Sequence, residues 1–285
     1  MIYISLTTVP DRMNFEYSSR INLLSLLNQK TDKEYKVLYN VPSIYRVKGE
    51  EIIIPEWVIE LQSQNDKLII NRTKDYGPVT KIVGCLLYTA DPDDVLIVVD
   101  DDHEYHEEML EYHLYKLNQY PNSAIAFRGD RLCEKREWTE DGIQKYNFVQ
   151  AVDNFPVKHD LNLAITGHWH SVGYKRSFFK DDFLDESFLL DNHWSDDIII
   201  AYYVAKNKLE IKCAAWDKET DWRLVNYDGR PCNSFPVVNT LPFNNAGCFV
   251  LRNITGTHIN DQATYPQDWV NCILDYYSGK IHTNG

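Results

Sequence analysis

Val95-Leu96-Ile97-Val98-Val99 is an unbroken apolar run that passes directly into Asp100-Asp101-Asp102. Apolar residues without alternation mark a strand buried on both faces, which is the position of a central strand in an α/β sheet. The carboxyl end of such a strand is where open α/β sheets bind their ligands. Three adjacent carboxylates repel one another, and a bound cation relieves that repulsion; oxygen ligands suit Mn²⁺ or Mg²⁺. A solvated acidic turn is the alternative, but the abutting buried strand argues against it. The Asp-x-Asp-x-Asp-Gly spacing of a calcium loop is missing. His103 and His106, just beyond, read as surface residues on the first turn of a following helix rather than as zinc ligands.

The surrounding chain alternates in the same style. Strands are expected at Ile2–Leu6, Lys36–Tyr39, Lys67–Ile70 and Ser123–Phe127. Helices are expected through Ile21, Leu24 and Asn28, with Leu23 and Leu27 broadening the apolar face, through Val79, Ile82, Val83 and Leu86, and through Leu110, Leu114 and Leu117. Pro78 suits the first turn of the second of these, where its missing N–H leaves no bond unmade. This β-α-β-α succession implies an α/β fold, a mostly parallel central sheet with helices covering its faces. After about residue 130 the pattern loosens into a polar, aromatic-rich stretch, and a helix resumes at Ile198–Val204. One unit over 1–285 is expected, with an α/β half over about 1–130 and an irregular half over about 131–285.

The chain carries 29 Lys+Arg against 42 Asp+Glu, a formal net charge of -13. No cationic field is present to release phosphate counterions, so nucleic acid and anionic membranes are excluded as partners. A diphosphate would need a bridging cation or a few well-placed basic residues. No stretch approaches the ~20 apolar residues of a membrane span, and no secretory signal precedes Thr7. Six scattered cysteines without a Cys-x-x-Cys pair fit reduced thiols. A cytoplasmic location is the expectation.

Ile4-Ser-Leu-Thr-Thr-Val-Pro-Asp-Arg12, Asp75-Tyr-Gly-Pro-Val-Thr-Lys81 and the apolar strand into Asp100-Asp-Asp102, in that order, resemble the small GT-A-type glycosyltransferases of large DNA viruses, the chloroviruses in particular, and of bacteria. The likeness covers residues 1 to about 130 and continues motif by motif. It implies a GT-A, Rossmann-like fold and a nucleotide-sugar donor at the carboxyl edge of the sheet. Asp100 and Asp102 would stand at the ends of the family's Asp-x-Asp motif. Asp102 would bind the divalent cation directly, and Asp100 or Asp101 would contact the ribose or the metal's water. Thr8, Arg12 and Asp75 would line the nucleoside pocket, and Lys81 would reach the phosphates. Taken alone, Lys81 reads equally as a solvated helix lysine and Arg12 as a surface charge.

Three later segments extend the likeness. Thr166-Gly-His-Trp-His-Ser-Val-Gly173 resembles the glycine-containing loop before the acceptor site. Gly167 would let backbone approach the acceptor, and Trp169 offers an apolar plate for a sugar ring; a packed tryptophan in a turn is the plainer reading. Ser195-Asp196-Asp197 resembles the acidic motif that supplies the catalytic base of inverting members, with Asp197 at the base position and Asp196 as the alternative. Helix N-capping competes with that role. His258 stands where many GT-A enzymes place a metal-binding histidine, or is a loop histidine. The function implied is metal-dependent inverting transfer from a UDP-sugar, such as UDP-xylose or UDP-glucose, to a glycan hydroxyl. The rivals are a metal-dependent phosphohydrolase or nucleotidyltransferase and a non-catalytic carbohydrate-binding relative.

Overall fold

The computed structural model describes residues 1–139, 142–153, 160–163, 165–166, 168–191 and 196–214, with further short elements at 224–225, 231–232, 237–240, 267–278 and 282–283. The chain opens with β1 (Ile2–Thr7), α1 (Pro10–Met13) and α2 (Glu16–Leu27). Next come β2 (Tyr35–Pro42), a small hairpin of β3 (Ile44–Tyr45) and β4 (Glu50–Glu51), α3 (Glu56–Gln64) and β5 (Leu68–Thr73). A 3-10 turn at Gly77–Val79, with Pro78 in its first positions, leads into α4 (Thr80–Tyr88). β6 (Val95–Val98), β7 (His103–Tyr105), α5 (Met109–Gln119) and β8 (Ser123–Ala126) complete the first half.

In the second half, β9 (Arg128–Thr139) pairs antiparallel with β10 (Gly142–Asp153). β11 (Leu161–Leu163), β12 (Ile165–Thr166), a 3-10 turn at His168–His170 and β13 (Val172–Lys175) follow. Then come α6 (Glu186–Asp191), α7 (Asp196–Lys206) and β14 (Glu210–Cys213).

Eight strands form the central sheet in the order β11-β14-β8-β13-β6-β1-β2-β5. The pairs β1–β2, β1–β6, β2–β5 and β8–β14 are parallel. β13 is inserted antiparallel between β6 and β8. The expected mostly parallel α/β sheet is therefore present, with two inverted strands, β13 and the edge strand β11, that no apolar run announced. Leu96 and Val98 pack into one core with Val79 of the 3-10 turn and Ile82, Val83 and Leu86 of α4. Ile97 and Val99 pack into the opposite core with Leu23, Leu26 and Leu27 of α2. β6 is thus buried on both faces, as its unbroken pattern requires.

Two local features differ from expectation. The α2 face that packs is Leu23, Leu26 and Leu27, while Leu24 is exposed. The stretch after residue 130 holds a hairpin of two 12-residue strands. Its order comes from pairing with a neighbour, which an alternation test on one strand does not register. Among the described residues no helix is long and apolar enough to cross a membrane. Cys85, Cys213 and Cys272 are free thiols.

Candidate active site at the carboxyl edge of the sheet

β6 ends at Val98, and the acidic run leaves the sheet directly after Val99. Its backbone is fixed from two sides. Asn22 Nδ2 of α2 donates to the carbonyls of Asp100 (3.0 Å) and His103 (2.7 Å), while Asp100 N donates to Tyr105 Oη (3.0 Å). The three side chains then meet different fates. Asp101 turns inward: Thr8 Oγ1 donates to it at 2.6 Å, and Arg12 Nη1 of α1 pairs with it. Asp100 and Asp102 remain 28% and 27% exposed at the side chain. Asp102 lies 3.4 Å from Arg12 Nη1 and 2.5 Å from His103 Nδ1.

His103 and His106 are buried, contrary to the surface reading. His103 opens the short strand β7, paired with residues 237–240, so it never occupies a first helical turn.

Lys81 is not a solvated helix lysine. Its Nζ is paired with Asp100 and lies 2.7 Å from Asp196 Oδ2, with the side chain only 4% exposed. The helix that carries it approaches the sheet closely. Ser5 Oγ of β1 donates to the Lys81 carbonyl at 2.5 Å, and Asn40 Nδ2 of β2 donates to Ser5 Oγ at 2.8 Å. A Cβ at Gly84 would lie 2.3 Å from Asn40 Oδ1, so only glycine permits this approach.

Asp196 and Asp197 open α7. Asp196 contacts Lys81 and His168, whose Nδ1 is 3.0 Å from its Oδ2. Asp197 Oδ1 lies 2.6 Å from the same Nδ1 and also accepts from the His168 backbone N–H at 3.3 Å. The Asp197 side chain is 35% exposed. One buried lysine thus joins the strand-end acids to the helix-start acids.

Burial disfavours every charge here, and the partners decide the outcome. For Lys81, burial is outweighed by Asp100, Asp196 and Asp197, which hold its pKa above the ordinary lysine range. Burial also works against ionised Asp196, yet Lys81 and His168 keep it well below the usual carboxylate range. Asp197 goes the other way: burial and then repulsion by Asp196 raise it, despite His168. His168 would be lowered by burial, but Asp196 and Asp197 lift it to about 9. Asp102 is held low against burial, chiefly by His103 and then Arg12. Burial raises Asp101 in spite of Arg12.

The contacts therefore bring together Thr8, Arg12, Asp101 and Asp102, and separately Lys81, Asp100, Asp196 and Asp197. Asp75 makes neither set of contacts; its two oxygens accept from Arg46 N (2.9 Å) and Gly77 N (2.8 Å). Trp169 falls in the 168–170 turn, and Gly167 and His258 lie outside the described residues. His168 escaped the sequence reading, which weighed its neighbours Gly167 and Trp169. The Gly-His-Trp-His spelling was the available signal, but nothing local pairs it with an acid 29 positions later.

Hard divalent cations take carboxylate oxygen, and Asp100 and Asp102 supply it at the open edge of the sheet. His168, Asp196 and Asp197 also place one potential ligand atom each within 4.8 Å of one another. There, however, the imidazole would have to lose a proton before ligating.

No protein-family model matches the chain, and no curated protein matches it in sequence. Solved structures match its fold. S. aureus TarS superposes over 96% of this chain with a TM-score of 0.51 at 12% identity. GalNAc-T7, solved with UDP, GalNAc and Mn²⁺, superposes over 75% with a TM-score of 0.50 at 10% identity. The matched part is 42% of each of those chains. Both are GT-A glycosyltransferases, and the sheet described above is of that fold.

Proposed function

We propose that the chain is a metal-dependent, inverting glycosyltransferase. It moves one sugar from a nucleoside diphosphate sugar, a UDP-sugar such as UDP-glucose or UDP-xylose, to a hydroxyl of a glycan acceptor. The observation that carries this reading is the Lys81 bridge between Asp100 and Asp196. It makes the strand-end carboxylates and the helix-start pair a single site at the edge of the sheet where such folds hold ligands. The GT-A fold, the likeness of the opening segments to chlorovirus and bacterial enzymes, and the UDP and Mn²⁺ bound by GalNAc-T7 support the same reading.

Asp102 and Asp100 are the residues that would hold Mn²⁺ or Mg²⁺, whose chemistry when bound is to neutralise the departing diphosphate. Asp101 does not face the donor; it ties the run to Thr8 and Arg12 and so sets the flanking carboxylates outward. Arg12 and Lys81 add positive charge beside the diphosphate, and such fixed charge lowers the barrier without reorganising during reaction. Asp197, partly open and raised in pKa, takes the proton from the acceptor hydroxyl as that oxygen attacks the anomeric carbon.

The test is to incubate the chain with Mn²⁺, UDP-glucose, UDP-xylose or GDP-mannose, and a panel of glycan acceptors, reading products by mass spectrometry and NMR. An α-linked UDP-sugar should give a β-linked product. An α-linked product contradicts inversion. Release of phosphate or pyrophosphate with no glycosylated product contradicts transfer altogether.

A further inference from the structure

The turn that carries His168 is locked from both ends. The His168–His170 turn closes through Ser171 N donating to the His168 carbonyl at 2.9 Å. Ser171 has a φ of 79°, in the left-handed region. A residue with a side chain adopts that region only at a cost, so surrounding contacts must hold it. They do: Ser171 Oγ is 2.7 Å from His113 Nε2 of α5, and both groups are buried. At the other end, His168 Nε2 is 2.8 Å from Tyr174 Oη, on the strand inserted beside β6.

With Nε2 anchored, Nδ1 has a fixed direction, and it meets Asp197 Oδ1 at 2.6 Å and Asp196 Oδ2 at 3.0 Å. The charged and titratable groups facing Asp197 are Asp196 of its own helix, Lys81 of α4, His168 of the turn and Tyr174 of β13. Of these, His168 alone touches the Asp197 carboxylate with both a ring nitrogen and its backbone N–H.

We infer that His168 is a positioning residue: it holds one oxygen of Asp197 in place and so leaves the other for the proton of the acceptor hydroxyl. The inference rests on the glycosyl-transfer reading of the site. As the acceptor oxygen bonds to the anomeric carbon, its proton passes to Asp197. The electrons of the breaking glycosyl bond leave with the diphosphate, and His168 keeps its own protons throughout. Nothing in this role requires His168 to touch either substrate.

Steady-state kinetics on His168→Ala and His168→Asn test it, with circular dichroism to establish folding. Asn places an amide N–H near the position of Nδ1, whereas Ala places nothing there. His168→Ala should lose about 10²-fold in kcat, the scale of a slightly misplaced reacting group, with donor KM within about twofold. His168→Asn should recover most of that loss. The acid limb of the kcat profile should move to higher pH in His168→Ala, because the base loses its neighbouring cation. If His168→Ala does not fold, His168→Asn carries the test: it should keep kcat within about tenfold of the unaltered chain and show the same displaced acid limb. Equal losses in folded Ala and Asn variants, or an unmoved acid limb, overturn the inference alone. Failure of the unaltered chain to transfer any sugar overturns the glycosyl-transfer reading and this inference with it.

Discussion

The two acidic groups of the site share a composition and behave oppositely. At the end of β6 the inner carboxylate, Asp101, is raised in pKa and its outer neighbour Asp102 is held low. At the start of α7 the inner carboxylate, Asp196, is held low and the outer Asp197 is raised. Residue type cannot explain this, because all four are aspartates. Burial pushes all four upward, and the cations and carboxylates beside each decide which are nevertheless held low. Asp102 sits between His103 and Arg12, so its charge is stabilised although burial opposes it. Asp197 shares His168 with Asp196, which also takes Lys81. The strand end therefore presents a carboxylate that stays ionised, which suits a ligand for a cation that would bridge to a diphosphate. The helix start presents one whose proton affinity is raised, which suits a base. Two like groups pushed apart by their surroundings are a common way to assign distinct roles within one site.

If that division is real, damage to the two groups should separate rate from binding and from stability. The largest effect is expected at Asp197. Asp197→Asn keeps the shape but cannot accept a proton at neutral pH, so transfer should fall by roughly 10²–10⁴-fold. A discontinuous assay of sugar transfer measures it, and near-unaltered turnover would leave the helix-start pair without a chemical role.

A smaller effect, and one on stability, is expected at the bridge between the groups. Lys81→Met leaves Asp100 and Asp196 without their shared cation and should destabilise the fold by about 3–5 kcal/mol. The exposed pair Lys33–Asp32, at 3.8 Å, provides the contrast: Lys33→Met should change stability by less than about 0.5 kcal/mol. Urea unfolding of both variants reads the difference.

The smallest expected effect is on pH dependence. Folding raises the His168 pKa from 6.5 to about 9, so the folded chain holds this proton more tightly than the unfolded one. The stabilisation is whole below pH 6.5 and is lost as pH rises through about 9. Thermal melts between pH 6.5 and 9.5 should show a decline that is shallower in His168→Gln. An identical decline in both chains would mean that the imidazole is not charged at neutral pH.

Much of this arrangement is legible in the residues. Val95–Val99 announced a doubly buried strand because its pattern has no polar face, and the acidic run after it marked the carboxyl edge of the sheet. The partition within the run was not legible: nothing in three consecutive aspartates says which one turns to Thr8 and Arg12. His103 and His106 read as exposed because a histidine's burial depends on partners such as Asp102 that only the fold supplies. Likewise, Lys81 looks like any lysine on an amphipathic helix until Gly84 and Asn40 bring that helix onto the sheet. His168 and Asp197 meet through an intervening strand and helix, and spacing alone carries no trace of such a contact.

The division of labour between the two acidic groups is tested most directly by titration calorimetry of UDP in the presence of Mn²⁺. Asp102→Ala should abolish Mn²⁺-dependent UDP binding while the protein remains folded. Asp197→Asn should bind UDP and Mn²⁺ as the unaltered chain does. Unchanged Mn²⁺-dependent affinity in Asp102→Ala, or an equal loss in both variants, would contradict the account.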